Sequence, residues 1–239
     1  MRIDVYFTPL GPKEGDLAGR GVIVIDVLRA TTTIVTALAN GAKAVVPAAT
    51  SEEAVRLTAN LEKNGYLLAG ERRSLKIEGF QLGNSPREMT ADAVRGKTIY
   101  LATTNGTPAL VSTQGAELVM IAAAANFKAA VARAKAHFDA RGEIAIVCAG
   151  RDRQFALEDA YTAGRLVKAL KKGVKKVVLN DAAEVALALT TMYDDWADAL
   201  EGTAAARQLE EAELADDIAF SAKQDRFDTV PIYAERRIT

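Results

Sequence analysis

Short, uninterrupted apolar runs alternate along this chain with longer stretches whose apolar residues recur every three or four positions. Val22-Ile23-Val24-Ile25 and Ile144-Ala145-Ile146-Val147 offer no polar face at all. Strands of this kind must be covered on both sides, which is the condition of a parallel sheet flanked by helices. Extended to Val22–Asp26 and Glu143–Cys148, these runs join six further expected strands: Arg2–Phe7, Ala44–Pro47, Tyr66–Ala69, Thr98–Ala102, Leu118–Ile121 and Lys176–Leu179. Between them, Phe127, Ala130, Val131, Ala134 and Phe138 fall on one face of a helix, as do Leu157, Ala160, Tyr161, Gly164 and Val167. Ser51-Glu52-Glu53 opens another helix with a capping hydroxyl and early acids. The stretch from Asp181 to about Phe220 reads as a helical tail that packs on the core. Strand–helix alternation predicts an α/β sandwich built on one mostly parallel sheet. No linker-like segment interrupts the chain, so a single domain over residues 1–239 is expected.

A faint repeat runs through this pattern. Ala30-Thr31-Thr32 follows one strand and Ala102-Thr103-Thr104 ends another. Each leads into a helical stretch, then Gly41-Ala42 or Gly115-Ala116, then a further strand. Shared βα grammar explains the likeness, and so does an internal duplication of βα units.

Composition narrows the classes of function. Thirty basic residues stand against 31 acidic ones, for a net charge of -1, with no basic run, so a nucleic-acid partner is not expected. No apolar run is long enough to span a bilayer, and Met1–Val5 reads as a strand rather than a signal segment. Cys148 is the one cysteine, which rules out an intrachain disulfide and fits a reducing compartment. A soluble, cytoplasmic protein without a membrane partner is expected. Its oligomeric state is left open, a homo-oligomer included.

In open α/β sheets ligands bind beyond the carboxyl ends of the strands. Four such ends here carry chemistry: Asp26 with Arg29, Thr31 and Thr32; Gly70-Glu71-Arg72; Thr103-Thr104-Asn105-Gly106-Thr107; and Cys148-Ala149-Gly150-Arg151, followed by Glu158-Asp159. Asp26, Glu71, Glu158 and Asp159 supply the hard oxygens that Mg2+ prefers. Arg29, Arg72 and Arg151 offer planar donor forks for phosphate, carboxylate or sulfonate. Thr31, Thr32, Thr104, Asn105, Gly106 and Thr107 sit at helix starts, where hydroxyls and backbone amides can hold an anion. Each has a plainer alternative: Asp26 as a helix cap, the threonines as helix openers, Gly70 and Gly106 as turn glycines. His137, the only histidine, and Cys148 read as structural. A phosphatase loop of Cys, five residues and Arg would need arginine where Gln154 stands, and there is no P-loop and no Gly-x-Gly-x-x-Gly.

These blocks resemble a known family. Val24-Ile25-Asp26-Val27-Leu28-Arg29-Ala30-Thr31-Thr32-Thr33 is similar to the signature of the 2-phosphosulfolactate phosphatase (ComB) family. So are Ala69-Gly70-Glu71-Arg72, Gly79-Phe80-Gln81-Leu82-Gly83-Asn84-Ser85-Pro86, Thr103-Thr104-Asn105-Gly106-Thr107, and Cys148-Ala149-Gly150 with Leu157-Glu158-Asp159. The resemblance implies a three-layer α/β/α sandwich with a largely parallel or mixed central sheet. It implies Mg2+-dependent hydrolysis of (R)-2-phospho-3-sulfolactate, an intermediate of coenzyme M synthesis, to 3-sulfolactate and phosphate. Such a substrate carries three anionic groups, and Arg29, Arg72, Arg151 and Arg87 would meet them. On this reading Asp26, Glu71 and Asp159 are catalytic, and Asp26, Glu71, Glu158 and Asp159 hold the metal. A non-catalytic sensor of phosphorylated or sulfonated hydroxy acids would use the same arginines, but it would gain nothing from the acids unless a cation joined them.

Overall fold

The computed structural model describes residues 1–239. The chain runs β1 (Arg2–Tyr6), β2 (Gly21–Ile25), α1 (Ala30–Ala39), β3 (Ala44–Ala48), α2 (Ser51–Thr58), β4 (Tyr66–Arg72), β5 (Leu75–Lys76), α3 (Ala91–Val94), β6 (Thr98–Ala102) and α4 (Gly106–Val111). It continues through β7 (Leu118–Ala122), α5 (Phe127–Arg141), β8 (Glu143–Cys148), α6 (Leu157–Lys171) and β9 (Val178–Leu179). The last third holds α7 (Asp181–Leu189), α8 (Trp196–Leu200), α9 (Ala204–Glu211), α10 (Ala215–Ser221), β10 (Tyr233–Ala234) and β11 (Arg237–Ile238). This is an α/β sandwich with helices on both sides of its sheets.

The strands divide between two sheets, where the sequence reading assigns one. The first is parallel throughout, in the order β7-β2-β8-β1-β9. The second runs β10-β11-β3-β6-β4-β5, with a parallel centre of β3, β6 and β4 and an antiparallel hairpin at each edge. Helix α1 carries the chain from β2 in the first sheet to β3 in the second, and α4 carries it back from β6 to β7. The two Thr-Thr segments therefore open the two helices that cross between the sheets, in opposite directions.

Side-chain alternation along the strands explains the layering. Ile23 and Ile25 face outward onto a core shared with Phe138 of α5, Tyr161 and Leu166 of α6, and Trp196 of α8. Val22 and Val24 face inward, where Ile34 and Val35 of α1, Ala109 and Leu110 of α4, and Val45, Ile99 and Leu101 of the second sheet meet them in one core. Ala48, Leu68 and Ala102 on the far face of the second sheet pack on Ala54 of α2 and on Phe80. Each fully buried valine, isoleucine or leucine in these layers contributes about 1.5–3 kcal/mol.

The C-terminal segment stitches the two sheets together. Asp225 and Phe227 donate their backbone N–H groups to Ala124 and Ala125 at the end of the first sheet, and Pro231 accepts from Ile121 on β7. The chain then turns into the β10–β11 hairpin, which places Ile238 opposite Val45 on β3. Ile238 is fully buried in the central core. We expect Ile238→Ala to cost about 2–5 kcal/mol of stability, read from the midpoint of urea unfolding. A loss below ~1 kcal/mol would mean that the hairpin is not tied to the core as described.

Candidate active site

The site begins where α1 and α4 start. Gly106, at the first turn of α4, lies so close to α1 that a Cβ built on it would come within 2.6 Å of Ala30 Cβ and 3.0 Å of Asp26 Oδ2. Only glycine permits this approach, and it brings the end of β2 against the end of β6. Asp26 sits just past β2, with Oδ1 accepting from Ala30 N at 3.2 Å and Oδ2 without a hydrogen bond to the chain. The neighbouring threonines face inward. Thr31 Oγ1 donates to Asp26 O, Thr32 Oγ1 to Val27 O and Thr33 Oγ1 to Asn84 O, and all three are buried. Thr31 and Thr32 thus brace the β2–α1 turn and do not reach the cavity, and Gly106 underlies it as a spacer.

The four acids separate into two pairs. Glu71 Oε1 accepts from Thr104 N at 2.8 Å and Oε2 from Ser74 N at 2.9 Å, so it links the ends of β4 and β6. Asp159 Oδ1 accepts from Val27 N at 2.9 Å and Oδ2 from Gly150 N at 3.1 Å, so it links the ends of β2 and β8. Gly150 holds a positive φ of 62°, and a side chain there would run into the backbone of Gln154. Asp26 and Glu158 differ from these two. Asp26 keeps Oδ2 unengaged, and Glu158 is held by nothing beyond its own backbone amide.

These acids crowd one another out of water. Burial raises Asp26 to about 7; the N–H of Ala30 opposes the rise, and the charges of Glu71 and Glu158 add to it. Glu158 is raised mainly by burial. Asp159 is pushed well above the usual carboxylate range by burial and by the charges of Asp26 and Glu158. A cation among them would remove that penalty. No set of three or more histidine, cysteine, aspartate or glutamate side chains forms a ready-made cage. Mg2+ seldom needs one: it takes one or two carboxylates, several waters and substrate oxygens. The unengaged oxygens of Asp26 and Glu158 fit that requirement.

All four strand ends line one polar cavity of about 540 Å³, together with residues from the helical tail. Asp26, Glu71, Glu158 and Asp159 form its acidic wall, and Arg29, Arg72, Arg73 and Arg151 its basic one. Thr104 and Asn105 also reach it, while Thr107 lines an adjoining, more apolar cavity of about 820 Å³. Arg29 is buried and fixed: Nη1 donates to Asp217 Oδ2 at 2.8 Å and Nη2 to Ser74 O at 2.8 Å. Arg72 is exposed, with only a 3.4 Å contact to Glu71 O. Arg151 Nη2 donates to Gln208 Oε1 of α9 at 2.6 Å. Arg87 does not join them; it pairs with Asp216 outside the cavity. Cys148 lies buried on β8, and burial, with Asp159 and Glu158 nearby, holds its thiol well above the ordinary range. It does not line the cavity. His137 lies on α5 against Gly21, away from the cavity.

Several wall residues carry no local signal in the sequence. Ser74, Asn84, Ala205, Gln208 and Leu209 complete the cavity, and Asp217 fixes Arg29 from α10. Asn84 stood within a recognised block, and only its place in the wall marks it as a site residue.

The polar cavity at the parallel strand ends is lined by buried acids together with arginines, and the family the chain matches puts it in the class of phosphoric monoester hydrolases. The profile of the family described as 2-phosphosulpholactate phosphatase matches residues 6–236. The chain belongs to that family. It is 41% identical over 234 residues to a probable 2-phosphosulfolactate phosphatase of Caldanaerobacter subterraneus, covering 97% of this chain and 95% of the relative. Proteins of the same description from Thermotoga maritima (39% identical, 96% and 94% covered) and Clostridium acetobutylicum (34%, both covered completely) are similar throughout.

The Asp26 shift has a sign that can be tested. A carboxyl raised from 3.8 to about 7 binds its proton more tightly when folded. Its stabilising contribution is therefore present below about pH 4 and lost as pH rises through about 7. Asn cannot ionise, so Asp26→Asn should be more stable than the parent at pH 8 in chelator, by about 4 kcal/mol, with the gap narrowing as pH falls from about 7 towards 4. Thermal unfolding across this range checks it, and parallel pH curves for the two proteins would contradict the assignment.

Proposed function

We propose that the protein is a Mg2+-dependent phosphatase that hydrolyses (R)-2-phospho-3-sulfolactate to 3-sulfolactate and inorganic phosphate, the step of coenzyme M synthesis that the family resemblance implies. The observation that carries this reading is the pairing of two unengaged buried acids, Asp26 and Glu158, with Arg29, Arg72 and Arg151 around one cavity. A sensor of anions would place buried acids beside its ligand only at a cost, whereas a metal-assisted hydrolase requires them.

Asp26 Oδ2 and Glu158 would hold the ion. A Mg2+ ion held there would supply positive charge to offset the charge that builds up in phosphoryl transfer. Arg29, fixed between Asp217 and Ser74, presents its remaining N–H groups to phosphoryl oxygens at low cost in reorganisation. Water attacks phosphorus in line with the bridging oxygen; a new P–O bond forms as the ester P–O bond breaks, and the departing alkoxide takes a proton from solvent water. Asp159, ionised once the cation offsets the burial and the charges of Asp26 and Glu158 that otherwise keep it protonated, would accept the proton of that water, with two backbone N–H groups fixing its orientation. Arg72 and Arg151, on the open side, would meet the carboxylate and sulfonate.

The test is a phosphate-release screen over phosphorylated hydroxy acids with and without Mg2+. Turnover should require the ion and disappear in Asp26→Asn and Glu158→Gln. Arg72→Ala should lower kcat/KM for 2-phosphosulfolactate roughly 10- to 150-fold, the equivalent of a charge-assisted contact worth about 1.5–3 kcal/mol. On p-nitrophenyl phosphate, which lacks both extra anions, the same change should cost less than about threefold. Equal losses on the two substrates would put Arg72 on the phosphate instead, and turnover unaffected by chelation would remove the metal from the scheme.

A further inference from the structure

The acid–arginine cavity has a neighbour that the chemistry above does not use. The adjoining cavity of about 820 Å³ shares five residues with it: Arg72, Thr103, Thr104, Asn105 and Asp152. Arg72, Thr104 and Asp152 are exposed, so much of the border between the two is made of side chains free to shift. Beyond that border the lining changes character. Pro9 and Leu10 come from the loop after β1, Ala49 and Ala149 from just past β3 and β8, and Pro108 and Val111 from one face of α4. Leu10 is 66% exposed and Val111 58%, so this apolar surface stands in solvent. The charged residues of the second cavity are Arg72, Arg153 and one acid, Asp152, and neither arginine enters an ion pair. The turn that carries Arg153 is pinned. Arg151 and Gln154 exchange backbone hydrogen bonds of 3.0 and 2.8 Å, and Asn105 Oδ1 accepts from Asp152 N at 3.1 Å. Size separates the two cavities as well. The first, at about 540 Å³, already lies within the range of about 300–1,000 Å³ that encloses a drug-sized ligand. A three-carbon acid such as sulfolactate does not need the second.

We propose that the adjoining cavity is a subsite for the side chain of the leaving alcohol, and that the protein also acts on 2-phosphorylated hydroxy acids whose side chain is an apolar body ending in an acid. The inference rests on the phosphatase reading above, since the phosphoryl group must sit in the first cavity. The carboxylate next to it meets Arg72 on the border. The side chain crosses the border, lies on Leu10, Pro108 and Val111, and brings its terminal acid to Arg153. Continuity with the reaction cavity and the excess of positive charge favour a small organic anion here over a second copy of the chain.

The test compares kcat/KM, with Mg2+ present, on 2-phospholactate, 2-phospho-3-phenyllactate and 2-phospho-3-(4-carboxyphenyl)lactate, with 2-phosphosulfolactate as reference. The parent should favour the phenyl compound over 2-phospholactate by about tenfold, the order expected for burying part of an aromatic ring. It should favour the carboxyphenyl compound by about a further fivefold, as for a charge-assisted contact near solvent. Val111→Gln should abolish the first gain and Arg153→Gly the second, each leaving 2-phosphosulfolactate within about twofold of the parent. Both variants should fold: Val111 is exposed, and Arg153 holds a φ of 64° in a two-residue hairpin turn that glycine suits better. A parent indifferent to the phenyl group overturns the proposal. So does a phenyl gain that survives Val111→Gln, or an acid preference that survives Arg153→Gly. A Val111→Gln protein that falls from dimer to monomer in sedimentation would make the cavity an interface between copies, and overturns it too. Turnover of 2-phosphosulfolactate without the phenyl preference sinks this inference only; a parent that hydrolyses none of the four compounds sinks the phosphatase reading with it.

Discussion

The distance between two helix starts governs much of this molecule. Helices α1 and α4 share the space between two sheets, and the missing side chain at Gly106 lets them meet beside Asp26. Because each helix begins where a strand of a different sheet ends, the meeting point is also the place where the carboxyl ends of both sheets come together. Glu71 then ties β4 to β6, and Asp159 ties β2 to β8, each through a pair of backbone N–H groups. The cavity is consequently a property of the inter-sheet seam, and neither sheet alone carries all of its walls.

That arrangement gives four carboxylates of similar chemistry different work. Two serve as braces, with both oxygens engaged by the backbone of the loops they hold. Of the other two, Asp26 keeps one oxygen without a partner and Glu158 bonds only to its own backbone amide, and burial raises the proton affinity of both. The basic side follows the same logic. Arg29 is immobilised by a carboxylate from the distant helix α10, whereas Arg72 stands in solvent with little to restrain it. A rigid guanidinium suits a group whose position must not vary, and a mobile one suits the part of a ligand that differs between substrates.

The sequence made the strands and the strand-end chemistry legible because both are local. The seven longer strands and the two-residue β9 were all marked in the sequence, with ends displaced by at most three residues. It could not show how they divide between two sheets, since βα units that stay in one sheet and those that cross to another have the same grammar. Strands β5, β10 and β11 escaped because their two-residue segments, Leu75-Lys76, Tyr233-Ala234 and Arg237-Ile238, lie in no apolar run. Thr31 and Thr32 look like ligand groups in sequence; only the three-dimensional hydrogen bonding reveals that their hydroxyls brace a turn. Asn84 and Asp217 posed the opposite problem. Asn84 lies in a block similar to the family signature, yet nothing in that block marks it as a cavity residue, and Asp217 acts across 188 positions of sequence on Arg29.

The path of the C-terminal segment has a consequence for how the protein is made. Synthesis proceeds from the N-terminus, and domains begin to fold as they emerge. Strand β3 is translated early, yet the neighbour on its outer side is β11, whose Ile238 pairs with Val45. Until that pairing forms, a nascent chain holds β3 as a bare apolar edge, open to any other strand that comes within reach.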